Sequence, residues 1–100
     1  MSLFSQARDA YSMQKKIKKI QKELDERLVE ATALDGKIVV TASAKPDLKK
    51  VEIAPELLVP ERKAELEEGI LRATKKALET AQKIAAELMQ SSGALAGLGG

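Results

Sequence analysis

The chain has no cysteine, no histidine and no tryptophan, and only two aromatic residues, Phe4 and Tyr11. Each gap excludes something. Without cysteine there are no disulfides and no thiolate chemistry. Without histidine or cysteine, neither the common zinc ligand sets nor Cys/His nucleophile pairs can be assembled. Two aromatics, both within the first dozen residues, leave a core of small aliphatic side chains, which bury less area than rings do. A single-strand binder stacks bases on rings, and this chain has few to offer. No apolar run is long enough to span a membrane, and no signal peptide is apparent. Formal net charge is only +2, so the distribution of charge matters more than its total.

Motifs for phosphate cradles are missing as well. There is no G-x-x-x-x-G-K-[ST], and no G-x-G-x-x-G opens a helix after a strand. Gly97, Gly99 and Gly100 lie in the terminal stretch. Asp25-Glu26 and Glu67-Glu68 are adjacent acids, but neighbours on a helix point about 100° apart and do not converge. The expectation is a protein that is not an enzyme, with no cofactor, no metal and no small-molecule substrate.

What is present is organised around residues 33–58. Asp35-Gly36 is a hairpin signal, because a tight two-residue turn needs positive φ. Ile38, Val40, Ala42 and Ala44 alternate with Val39, Thr41 and Ser43, a period of two. Lys45-Pro46-Asp47 breaks that run, since proline cannot donate to a ladder. A third run follows from Leu48 to Ile53, with Val51 and Ile53 facing one way and Lys50 and Glu52 the other. Upstream, Leu28 to Leu34 places Val29, Ala31 and Ala33 on one side. The pattern predicts a three-stranded antiparallel meander with one apolar face, which needs a helix against it.

Helical patterns flank the meander. Leu3 to about Leu28 reads as one long helix, with Ala10, Met13, Ile17, Ile20 and Leu24 spaced three, four, three and four apart. That narrow heptad stripe suits a helix–helix seam. Lys15, Lys16, Lys18, Lys19 and Lys22 surround it, covering more than half the circumference, with no acid from Ala10 to Lys22. The second helix is predicted from near Pro60, a good first-turn residue, to about Gln90. Leu66, Ile70, Ala73, Ala77, Ala81, Ile84 and Leu88 make one face, and Leu71, Thr74, Leu78 and Ala85 widen it. A face that wide fits two partners, its own sheet and a second chain. Gly69 is a weak point in the helix interior, at about 1 kcal/mol relative to alanine.

The expected fold is therefore α+β: a long N-terminal helix, a three-stranded antiparallel meander and a long C-terminal helix. Residues 1–90 form a single domain and 91–100 a flexible glycine-rich tail. Val40, Val51, Ile53, Ile70, Ala77 and Ile84 are expected to be buried together, so that Val51→Asp would cost several kcal/mol. A thin aliphatic core also favours a homodimer, with Met13, Ile17, Ile20 and Leu24 as its seam.

At this point the residues resemble a family. KKVEIAPELL, between a hairpin and a long helix, is similar to the [RK]-[RK]-V-E-I-x-P-x-L-L segment of YbaB/EbfC nucleoid-associated proteins. GKIVVTASAKPDLKKVEI resembles the G-x-V-x-V-T…G…V-x-I pattern of the same family. Ala54 stands where members often carry Asp, and Lys45-Pro46 where they usually have glycine or asparagine. The resemblance runs from about Met13 to Gln90. It implies a cytoplasmic homodimer that binds double-stranded DNA with low sequence specificity, organises the nucleoid and influences gene expression. The DNA-binding residues expected are Lys15, Lys16, Lys18, Lys19 and Lys22, since phosphate neutralisation needs dense positive charge. The alternative is a protein-interaction or assembly module in which those lysines only solvate a helix.

Overall fold

The computed structural model describes the backbone of residues 3–91 and the side chains of residues 10–91. Residues 92–100, most of the expected tail, lie outside the described residues, as does the side chain of Phe4. Helix α1 spans Leu3–Glu26, followed by strands β1 (Leu28–Ala33), β2 (Ile38–Ser43) and β3 (Asp47–Ile53). Two single 3-10 turns, Pro55–Leu57 and Pro60–Arg62, lead into helix α2, Lys63–Ser91. The expected α+β order is the observed one. The sheet is antiparallel throughout, in the order β1-β2-β3.

Boundaries move for local reasons. No proline or glycine interrupts residues 3–26, so α1 runs unbroken. It ends at Glu26 instead of Leu28. The Arg27 N–H still bonds back to the Glu23 and Leu24 carbonyls, while the Arg27 carbonyl already accepts from the Ala44 N–H. Pro60 does open the helical stretch, but as a 3-10 turn, and α2 proper begins at Lys63. In the first hairpin, Asp35 (φ 57°) and Gly36 (φ 83°) are the central residues, and Lys37 N–H donates to the Leu34 carbonyl at 3.2 Å. Leu34 also takes positive φ, at 54°, so the ladder closes one pair further out, at Ala33 and Ile38.

The core lies between α2 and the sheet. Val29, Ala31 and Ala33 of β1 and Ile38, Val40 and Ala42 of β2 face Ala73, Ala77 and Ala81 of α2, with Leu57 beside them. Leu34, Ile53, Leu66, Ile70 and Ile84 are half-buried around this cluster. Small side chains on α2 bring the helix close to the sheet. Gly69 lies tight against β2: a Cβ there would sit 2.5 Å from Ile38 Cδ1. The glycine read as a weak point thus sits against the end of a fully buried isoleucine, which an added methyl would force to shift.

Val51 departs from expectation. It pairs with Val40 across the ladder and so shares the core-facing side of the sheet. Yet Val51 is 45% exposed while Val40 is fully buried. A helix is about 10 Å wide and strands lie about 4.8 Å apart, so one helix covers two strands. α2 packs on β1 and β2. The inner side of β3, with Leu48 and Val51, is left bare. The expected loss of several kcal/mol for Val51→Asp does not hold for the protomer.

Candidate nucleic-acid interface

Helix α1 leaves the globular end as an arm, and the whole fold measures 69 × 20 × 16 Å. Cover from the rest of the chain begins only near its C-terminal end. Met13 (59%) and Ile17 (49%) are exposed, Ile20 is half-buried and Leu24 is buried. The last turn is fastened to the sheet by Lys49, whose Nζ lies 2.8 Å from Asp25 Oδ1 and 3.5 Å from Asp47. A β-bulge between Thr41 and Ala42 puts Lys49 into position by adding one residue to β3. The hydrogen bond from Lys49 holds the Asp25 carboxyl below its ordinary value, and Asp25 in turn raises the Lys49 ammonium above its own.

Lys15, Lys16, Lys18, Lys19 and Lys22 are all exposed. At 100° per residue they occupy an arc of about 160°, whereas the sequence led to an expectation of more than half the circumference. None of the five belongs to an ion pair among the described residues. Glu23 and Glu26 stand four residues after Lys19 and Lys22, but a lysine preceding its acid is the weaker orientation of such a pair. Lys15 Nζ instead lies 5.4 Å from the centre of the Tyr11 ring.

Cations elsewhere are mostly neutralised. Lys50 contacts Glu52 at 2.6 Å, Arg62 contacts Glu65 at 3.0 Å, and Arg72 contacts Glu68 at 2.9 Å. Lys37 and Lys63 also have carboxylate partners, Glu56 and Glu67. On α2 the unpaired set is sparser: Lys75, Lys76 and Lys83, interleaved with Glu79 and Glu87. Unpaired positive charge is therefore densest on the arm, where the sequence placed it. Lys49 is occupied by Asp25 and Asp47. That latch joins residues 24 apart through a bulge, and no local pattern announces it.

Among the described residues no group of acids is arranged to hold a metal ion. No helix among them is long and apolar enough to cross a membrane. The open cleft where the C-terminal ends of α1 and α2 meet, about 190 Å³, is lined by Glu23, Glu26, Arg27 and Leu88. Its charged groups do not form a nucleophile–base pair.

Comparison with known proteins fits this geometry. The chain is 35% identical over 94 residues to a nucleoid-associated protein of Acetivibrio thermocellus, covering 93% of this chain and 83% of that one. It is 37% identical over 90 residues to a nucleoid-associated protein of Chloroflexus aggregans, covering 89% of this chain and 90% of the relative. In fold it is similar to an uncharacterized protein of Helicobacter pylori, with a TM-score of 0.75 at 14% identity, over 92% of this chain and 97% of that one. A model of the YbaB/EbfC DNA-binding family matches residues 1–95. A helix–meander–helix fold with a lysine-rich first helix, matched over nearly its whole length, thus belongs to the YbaB/EbfC DNA-binding family, which is not a family of enzymes.

Proposed function

We propose that the protein binds double-stranded DNA with little sequence preference, through Lys15, Lys16, Lys18, Lys19 and Lys22, and acts in the cytoplasm to organise the nucleoid and influence gene expression. The observation that carries this reading is the density of unpaired lysine on α1, against paired cations elsewhere. Lysine at a phosphate positions a protein without reading bases. Few arginine, asparagine or glutamine side chains cluster where they would read a base edge.

The binding unit in this reading is a homodimer built from residues 1–90. Met13 and Ile17 are exposed and Ile20 only half-buried on the arm, while Leu24 is buried within the protomer. A second set of apolar groups supports association near the sheet. Leu48 and Val51 lie bare on β3, and Leu71 is exposed on the flank of α2 where Thr74, Leu78 and Ala85 widen its apolar face. A two-fold contact lets one α2 flank cover the partner's β3 face and the reverse. Light scattering during size exclusion should give about twice 10.8 kDa, and a monomer mass at tens of micromolar overturns the dimer.

A gel shift with plain duplex across a salt series tests DNA binding. A dimer brings ten lysines. If half meet phosphates, the log–log slope is about −4.5, and affinity falls by two to three orders of magnitude between about 50 and 200 mM salt. A protein that never shifts duplex at low salt is instead an interaction module.

A further inference from the structure

Tyr11 is an exposed ring in an unusual place. Of the large apolar or aromatic groups described on α1, Met13 and Ile17 lie on the heptad stripe, where a seam accounts for them. Tyr11, 62% exposed, does not. At 100° per residue it points about 140° away from the centre of that stripe. It falls in line with Lys15, Lys18 and Lys22, at steps of four, three and four residues. These four side chains occupy an arc of about 60° and form a ridge about 16 Å long. The tyrosine is the N-terminal end of that ridge, and its ring carries the Lys15 ammonium at 5.4 Å.

We propose that Tyr11 is a positioning residue of the DNA interface: its phenol O–H donates to a backbone phosphate oxygen, and its ring holds Lys15 on the ridge for the neighbouring phosphate. This rests on the duplex-binding reading above. Tyrosine hydroxyls are among the groups that fix proteins on phosphates. A cation resting on a ring face is attracted to it at little desolvation cost while exposed. The ring therefore restricts a long, flexible lysine before the duplex arrives, which lessens the ordering cost of binding. Such a contact adds no charge. It strengthens binding without changing how steeply binding depends on salt, and that separates it from the lysines.

The test compares wild type, Y11F, Y11A and K15A on a short mixed-sequence duplex over a salt series. Tyr11 is the sole tyrosine, so ring-labelled tyrosine gives one set of NMR resonances from this position alone. Y11F should bind about 5-fold more weakly, the equivalent of one modest hydrogen bond, with an unchanged salt slope. Y11A should lose more, because Lys15 also loses its platform. K15A should make the slope shallower by about 1 for each phosphate contact removed. The ring resonances should move when duplex is added. Helicity and mass should match wild type in every variant, since the ridge avoids the apolar stripe. If wild type shifts duplex while Y11F binds equally well, the hydroxyl contact is overturned, whatever Y11A does. Ring resonances that stay still during binding overturn it too. If wild type never shifts duplex at low salt, the DNA reading itself fails and takes this contact with it.

Discussion

The two long helices are amphipathic to a similar degree and serve opposite ends. α2 turns glycine and alanine toward the sheet, at Gly69, Ala73, Ala77 and Ala81, and all four are buried in the protomer. α1 carries methionine and isoleucine at comparable positions, and from Ala10 to Ile17 they have no cover from their own chain. Charge divides in the same way. Arg62, Lys63 and Arg72, in and just before α2, pair with acids about one turn away, whereas Lys15, Lys16, Lys18, Lys19 and Lys22 of α1 have no ion pair among the described residues. Amphipathicity alone therefore says that a helix has a partner. The size of the apolar residues says which kind. Small residues bring a sheet close, and the larger exposed ones of α1 suit the helix–helix seam proposed above.

The largest effect should come from inverting the charge contrast. Replacing Lys15, Lys18, Lys19 and Lys22 by Glu should abolish duplex binding while helicity and mass hold. Replacing Lys75, Lys76 and Lys83 by Glu on α2 should change affinity far less in the same gel shift. Reversed results would move the interface to α2. Next is the contrast within the sheet. Val40→Asp buries an unpartnered carboxylate and should cost several kcal/mol in chemical denaturation. Val51→Asp should cost under about 1 kcal/mol in the protomer, and should weaken self-association instead. Equal costs would mean β3 is covered in a way the protomer does not show.

A smaller effect is expected where Gly69 of α2 meets Ile38 of β2. Gly69→Ala gains about 1 kcal/mol in helix propensity but drives a methyl into Ile38, and such overpacking costs about 1–3 kcal/mol. Net destabilisation is expected in thermal melts. A gain in stability would show that α2 can lift from the sheet freely. The smallest effect concerns the latch between arm and sheet. Asp25 is held below its ordinary 3.8, so its contribution is complete above that value and fades only as pH falls through the lowered one. Lys49 is raised above 10.5, so its contribution is complete below 10.5 and fades as pH rises through the raised value. Spin-label distances between α1 and α2 should therefore stay constant from about pH 5 to 9. Asp25→Asn should broaden them at every pH in that range.

Much of this was legible in the sequence because it follows from short-range periodicity. The alternation at Ile38–Ala44 and the heptad at Ala10–Leu24 set both the elements and their apolar faces. Asp35-Gly36 located the first turn. The unpaired lysines of α1, the proposed contact surface, were legible for a related reason: no acid lies between Ala10 and Lys22. What stayed hidden depends on widths and long-range placement. Val51 carries the right pattern for burial, but which strands a single helix covers is not written in the spacing of one strand. Nothing in the local pattern ties Lys49 to Asp25, and only the bulge reveals that Asp25 claims it. Tyr11 was visible as a residue, and its i, i+4 relation to Lys15 was the available signal.

The single residue Arg27 separates α1 from β1, and the arm is anchored only near its end. In mechanical terms α1 is a cantilever. A tilt of about 10° at Arg27 moves Lys22 by about 1 Å and Tyr11, some 24 Å out, by about 4 Å. Grip on a duplex should therefore be graded along the arm, firm near the root and adaptive toward the tip. Two such arms in a dimer would tolerate local changes in groove width of several ångströms with little loss of contact. A protein that binds duplex with little sequence preference, as proposed for this one, would have use for such compliance.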